Sequence, residues 1–310
     1  MKIFVIGAGG VGGYFGGRIC EAGYDTTFLL RGETLRAIKN NGLYVKSILG
    51  DFKVYPNVTD DYSTAAQADL IILSVKSWQI EAIAKKLKPY LKPTAIILPL
   101  QNGADNAERL TNIVRKENVI AGLCRIVSKI ESPGVIDHFT YEPEIVFGEM
   151  DNKPSERVHS IKAVFDKAGF KNRISDHIQR DIWIKFLFIT SISAMGALTR
   201  SVLGVMREDK YLREQLRLTA NEIVQIGQAL KIPIGQEDID KIFELIDQLD
   251  YHTTMSLQRD IMEGKPSELD NFNGYIVKQG KLMQIETPIN DFIYYSLRPM
   301  EKKSRKKLKK

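Results

Sequence analysis

Hydrophobic positions change their period partway along this chain. In the first half they form short continuous runs, each closed by glycine, proline or a charge. Ile3-Phe4-Val5-Ile6 is the first run, and it breaks into Gly7-Ala8-Gly9-Gly10-Val11-Gly12-Gly13. A helical pattern follows from Tyr14 to Ala22, ends at Gly23, and gives way to a second run, Thr26 to Leu30, which stops at Arg31. That order predicts strand, glycine turn, helix, strand. Residues 32–41 read as a helix, and Gly42 to Val45 and Phe52 to Tyr55 as short strands. Asp69 to Val75 holds a continuous apolar run, Leu70 to Leu73, as in a strand buried on both faces. Trp78 to Leu91 is helical, Thr94 to Leu98 a strand, and a helix starts near Ala104. Val119 to Leu123 is the next strand. The short β runs between Arg125 and Phe147 are broken by Pro133-Gly134 and Pro143, and are expected as antiparallel strands added to the same sheet. A helix runs from Asp151-Asn152-Lys153-Pro154 to about Ala168, and a strand at Lys171 to Ile174 closes this half.

From His177 the spacing is helical. Asp181 to Leu198, Lys210 to Leu230, Glu237 to Leu249, Thr253 to Met262, Glu268 to Met283 and Pro288 to Met300 suit helices, punctuated by Pro233-Ile234, Gly264-Lys265-Pro266 and Thr287-Pro288. No internal repeat is visible. The pattern predicts an α/β protein: an N-terminal Rossmann-type dinucleotide-binding domain over residues 1–175, then an all-α domain over 176–300. Residues 301–310 are expected to be a disordered basic tail.

The glycine turn carries the first chemistry. A Gly-x-Gly-x-x-Gly pattern is specific only between a strand and a helix, which is where this one lies. Gly7 permits the tight turn, Gly9 lets the backbone approach a pyrophosphate, and Gly12 packs the helix on the strand. The peptide N–H groups of Ala8, Gly10 and Val11 complete a phosphate-facing backbone, favoured by the helix dipole. An NAD site usually carries an acid at the end of the second strand, to accept from the ribose hydroxyls. Arg31 stands there instead, and a guanidinium binds a 2′-phosphate through paired hydrogen bonds. The expected cofactor is therefore NADP(H). Arg36 and Lys39 follow on the next helix and add positive field. Lys76 and Asn102 lie at the carboxyl ends of two further strands, where open α/β sheets bind ligands. Without a ligand, these residues would be a glycine-rich turn, solvated surface cations and an ordinary Asn-Gly turn.

Charge changes this picture little. The net charge of +6 arises in the tail, where seven of the nine residues from Lys302 to Lys310 are basic. Without them 37 basic residues face 38 acidic ones, so the body is close to neutral and nucleic acid is not an expected partner. Cys20 and Cys124 have no partner at metal-ligand spacing, and no metal is expected. Reduced cysteines, Lys2 leading directly into a strand, and no apolar run near the ~18 residues of a membrane helix give a cytoplasmic expectation with no membrane partner. The apolar content of the helical half is compatible with a homodimer.

One charge, Lys185, stands inside the most apolar helix, among Trp183, Ile184, Phe186, Leu187 and Phe188. It either snorkels to the surface or is held in a site as a proton donor. The glycine segment, Arg31, Ser74-Val75-Lys76, Gln101-Asn102-Gly103, the helix with Lys185, and Glu268-Leu269-Asp270-Asn271-Phe272-Asn273-Gly274 together resemble the ketopantoate reductase family (2-dehydropantoate 2-reductase) along nearly the whole chain. The resemblance implies a Rossmann domain with a helical domain, and NADPH-dependent reduction of 2-dehydropantoate to (R)-pantoate, on the route to pantothenate. It implies Lys185 as the group that protonates the carbonyl oxygen. Asn102 would touch nicotinamide and substrate, Lys76 would sit at the cofactor–substrate junction, Ser256 would contact substrate, and Glu268 would lie by the nicotinamide ribose.

Two positions depart from the family's pattern. It shows Asn four and eight residues after the lysine, where this chain has Ile189 and Ser193. Ser193 keeps a hydroxyl for the substrate; Ile189 has no donor, and one buried bond to a charged substrate is worth ~1.5–3 kcal/mol. A paralogous reductase of a less polar 2-oxo acid is therefore the alternative. A non-catalytic NADP-binding redox sensor would need neither Lys185 in an apolar helix nor Asn102 at a strand end.

Overall fold

The computed structural model describes residues 1–307. The chain divides into two compact units, Met1–Ile178 and the residues from Gln179 onward.

The first unit is built on five short parallel strands: β1 (Ile3–Ile6), β2 (Thr26–Leu29), β5 (Asn57–Thr59), β6 (Leu70–Leu73) and β7 (Ile96–Pro99), in the order β5-β2-β1-β6-β7. All of β1, β6 and β7 is buried, which is why they read as unbroken apolar runs. Strand order reverses between β1 and β6, so the crevice at their carboxyl ends is the binding position of a doubly wound sheet. Helices α1 (Gly10–Glu21), α2 (Gly32–Asn41), α3 (Ile80–Leu87) and α4 (Asn106–Thr111) connect the strands.

The segment from Arg125 to Phe147 differs from expectation. β9 (Ser128–Ser132) and β10 (Val135–His138) join β3 (Leu43–Ser47) and β4 (Phe52–Val54) in a separate sheet ordered β4-β3-β10-β9. β10 runs parallel to β3, pairing Ile136 with Val45. β11 (Glu144–Gly148) lies instead between β8 (Ala121–Arg125) and β12 (Lys171–Ile174), with α5 (Glu156–Lys167) connecting β11 to β12. The glycines of α1 explain the second sheet. A methyl group at Gly13 would sit 2.6 Å from Ile136, one at Gly17 3.0 Å from Phe52, and one at Gly10 2.5 Å from the Ser128 hydroxyl. Spaced three and four apart, these residues form one helical face that admits the second sheet. Gly12 and Gly16 form the opposite face; a methyl at Gly16 would meet Phe28 at 2.6 Å and Val5 at 2.9 Å.

The second unit is helical: α6 (Ile178–Thr199), α7 (Leu203–Glu208), α8 (Lys210–Ala229), α9 (Gln236–Gln248), α10 (Ser256–Met262), α11 (Asn273–Met283) and α12 (Pro288–Lys307). Glu222 of α8 accepts from the N–H groups of Ile289 (2.8 Å) and Asn290 (2.9 Å), satisfying the exposed start of α12. Two expectations are corrected here. α6 is long and apolar enough, by length and composition, to cross a membrane; 72% of that stretch is buried, as in a core helix. Residues 301–307, expected as disordered tail, continue α12. Their anchor is Glu301, 2% exposed, which accepts from the Ser267 N–H (2.9 Å) and hydroxyl (2.6 Å) and pairs with Arg305 at 2.6 Å. A buried carboxylate so satisfied holds the last turns in place. The rest of the expected tail, residues 308–310, lies outside the described residues.

Candidate active site

The first unit gathers its candidate residues at the carboxyl ends of neighbouring strands. Gly7 follows β1 with φ +94, a backbone conformation that glycine adopts without strain. Its N–H donates to the Leu29 carbonyl at 3.2 Å, so the turn stays tied to β2. Gly9 caps α1 with no side-chain hydrogen bond, and the first N–H groups of a helix have no partner inside it. A methyl added at Gly9 would meet nothing within 4 Å, so the backbone there borders open space. At Gly12 a methyl would lie 2.1 Å from both the Gly7 carbonyl oxygen and the Ser74 hydroxyl. One glycine is thus needed for packing and another leaves room for a ligand, and the turn, with Ala8, Gly10 and Val11 between them, fits a pyrophosphate.

Ser74 gains a role that its sequence position did not suggest. Its hydroxyl lies 2.9 Å from the Ile6 carbonyl oxygen and 3.0 Å from that of Gly7, donating into the junction of β1 and the glycine turn. It joins the end of β6 to the turn. Lys76 follows, exposed at the start of a one-turn helix (Ser77–Gln79), its ammonium 5.8 Å from the Trp78 ring centroid. Asn102 is half-buried beyond β7. The Asn106 amide donates to the Gln101 carbonyl at 2.9 Å and Gly103 has φ +131, which together fix this loop. Gln101 is 6% exposed, and neither atom of its side-chain amide has a hydrogen-bond partner among the described residues. A buried amide in that state has hydrogen-bonding capacity left for a water or a ligand. Arg31 stands two residues past β2, at the start of α2, and donates to the Tyr62 hydroxyl at 2.7 Å.

In the second unit the candidates lie on α6 and on segments packed against it. Lys185 is half-buried, flanked by the buried side chains of Trp183, Phe186 and Leu187. Phe186 meets Phe272 and Tyr275 edge-on, with ring centroids 6.1 and 6.0 Å apart. These contacts dock the segment that begins at buried Glu268 onto the lysine helix, because the Phe272 N–H bonds the Glu268 carbonyl at 3.0 Å. Ser256 is exposed at the first position of α10. α10 is held by Gln258, which donates to the Ser201 carbonyl at 2.8 Å; a methyl at Gly196 of α6 would meet the Gln258 amide oxygen at 2.6 Å. Ser193 is 1% exposed, and its hydroxyl donates to the Ile189 carbonyl one turn back. The proton that sequence reading gave to the substrate is thus committed to the backbone, as serines inside helices often are. Ile189 is buried. Among the described residues no group of three or more His, Cys, Asp or Glu is placed to hold a metal ion.

Known proteins resemble this chain along nearly its whole length. The chain matches the family described as "Ketopantoate reductase PanE/ApbA" over residues 3–152, and "Ketopantoate reductase PanE/ApbA C terminal" over 177–301. A Bacillus subtilis (strain 168) protein named "Uncharacterized oxidoreductase YkpB" is 30% identical over 301 residues, covering 97% of this chain and 99% of that protein. A Pyrococcus abyssi protein named "2-dehydropantoate 2-reductase" is 30% identical over 295 residues, 94% of each chain. The crystal structure of a PanE/ApbA family ketopantoate reductase from Ralstonia eutropha JMP134 superposes with a TM-score of 0.90 at 27% identity, over 98% of this chain and 100% of that one. The chain belongs to the ketopantoate reductase family and is an oxidoreductase of that family.

Proposed function

We propose that this member of the ketopantoate reductase family reduces 2-dehydropantoate to (R)-pantoate with NADPH, Lys185 giving the proton. The observation that carries the reading is Lys185 itself, a half-buried cation within the most apolar helix, between the buried Trp183 and Phe186 in sequence, on the helix onto which the Glu268 segment is docked. The Gly7–Gly12 backbone, Arg31, Lys76, Asn102 and Glu268 would hold the dinucleotide. Bound there, reduced nicotinamide supplies hydride. Lys185 supplies the proton to the carbonyl oxygen, and its charge also stabilises the negative charge that develops on that oxygen. Asn102 and Ser256 orient the substrate through hydrogen bonds. The name of the Pyrococcus abyssi relative supports 2-dehydropantoate as substrate. Cys20 and Cys124 form no disulfide, which suits a cytoplasmic location. Neither nucleic acid nor membrane enters this reading as a partner, and a homodimer is compatible with it.

A second reading, a less polar 2-oxo acid as substrate, is favoured by Ile189 and by the commitment of the Ser193 proton to the backbone. Ile189→Asn separates the two. If the substrate is 2-dehydropantoate, the new amide offers its hydroxyl a partner, and KM for 2-dehydropantoate falls by about 3- to 10-fold, within the range of one added hydrogen bond. If the natural substrate is less polar, the same amide is left unsatisfied and KM for the deoxy analogue rises. Steady-state kinetics of wild type and variant on both acids decide this. Wild-type turnover of the deoxy analogue alone would overturn the 2-dehydropantoate assignment.

A further inference from the structure

We infer that Tyr62 and Lys86 complete, with Arg31, a three-donor seat for the 2′-phosphate of the dinucleotide, an inference that rests on the NADP(H) reading above. β5 pairs with β2 in parallel, matching Leu29 with Thr59, and the Leu30 N–H extends the ladder to the Thr59 carbonyl at 2.8 Å. The chain then turns into a short helix, Tyr62–Gln67, which places Tyr62 beside Arg31 at the carboxyl edge of the sheet. The Arg31 guanidinium donates to the Tyr62 hydroxyl oxygen at 2.7 Å and lies 5.7 Å from the ring centroid. Lys86, from α3, brings its ammonium within 5.4 Å of the same centroid.

One aromatic ring therefore faces two cations. Each is attracted to the ring, and no carboxylate is paired with either among the described residues. Asp61, the nearest acid in sequence to Tyr62, accepts instead from the Ser63 N–H and hydroxyl. A dianionic phosphate supplies an opposite charge for both cations. It accepts from the guanidinium, the ammonium and the Tyr62 hydroxyl proton, which is free of Arg31 because the tyrosine oxygen is the acceptor in that bond. The ribose hydroxyl of NADH offers no charge to balance these cations. Tyr62 also holds the guanidinium in place before the ligand arrives, which reduces the conformational entropy lost on binding.

The test uses the full-length protein and direct titration with NADPH and NADH. Tyr62→Phe keeps the ring and removes the hydroxyl, Lys86→Ala removes the second cation, and Arg31→Ala is the reference. Tyr62→Phe and Lys86→Ala are each expected to raise the NADPH Kd about fivefold, the upper end for an exposed ion pair, with the NADH Kd unchanged. Lys86→Ala also flattens the dependence of the NADPH Kd on salt. If both variants keep the wild-type ratio of NADPH to NADH affinity while Arg31→Ala lowers it, the three-donor seat is wrong and the NADP(H) reading stands. If Arg31→Ala leaves that ratio unchanged as well, the NADP(H) reading fails with it.

Discussion

Lys185→Ala is expected to lower kcat by ~10²-fold or more, the usual contribution of a positioned proton donor, with dinucleotide affinity near that of wild type. In the proposed reaction, hydride arriving at the carbonyl carbon leaves charge on oxygen, and Lys185 would supply the proton that neutralises it. The lysine is half-buried, so truncation removes the ammonium while Trp183, Phe186 and Leu187 still hold α6 in its core. Lys185→Arg separates chemistry from charge: arginine keeps the cation and most of the packing but does not release a proton at any working pH. Its kcat should stay well below wild type, recovering at most the part that comes from charge stabilisation. A kcat close to wild type in Lys185→Ala would show that the side chain only snorkels to solvent.

The second large effect is a contrast between two glycines of one turn. Gly9→Ala is expected to leave the melting temperature unchanged, because nothing lies within 4 Å of the added methyl and Gly9 has an ordinary φ of −78. It should nevertheless weaken dinucleotide binding by ~10-fold or more, since the methyl takes the space through which a pyrophosphate reaches the backbone. Gly12→Ala should lose both. Its methyl would sit 2.1 Å from the Gly7 carbonyl oxygen, a backbone atom that can move only if β1 and α1 separate. Overpacking of that kind costs ~1–3 kcal/mol of stability. Thermal melts with dinucleotide titration read both quantities; unchanged affinity in Gly9→Ala would mean that the turn does not seat the pyrophosphate.

Legibility in the sequence followed the range of the contacts. β1, the glycine turn and β6 could be read because buried parallel strands are continuous apolar runs and their loops are punctuated by glycine. The pairing of residues 43–47 with 135–138 could not, since it joins segments far apart and a short alternating strand does not name its partner. The second glycine face of α1 had the same limit: Gly10, Gly13 and Gly17 have visible helical spacing, but Ser128, Ile136 and Phe52 are what make it necessary. The Lys302–Lys310 charge run hid a helix end, because Glu301 is an anchor only through Ser267, distant in sequence. Tyr62 was passed over for a related reason, as β5 is only three residues long and too short to show a strand pattern. The backbone bond of Ser193 was legible in the sequence: a serine inside a helix has the carbonyl four residues back within reach of its hydroxyl.

The reaction proposed for this chain moves hydride from NADPH to the carbonyl carbon of 2-dehydropantoate. The most direct measurement uses NADPH carrying deuterium at the nicotinamide C4, in place of either of its two hydrogens, with mass spectrometry of the acid product. The expected product is pantoate bearing deuterium at C2 from one of the two labelled cofactors, formed in step with NADPH oxidation and ~10²-fold more slowly in Lys185→Ala. NADPH oxidation that leaves both products unlabelled, or no oxidation with 2-dehydropantoate at any concentration tested, would contradict it.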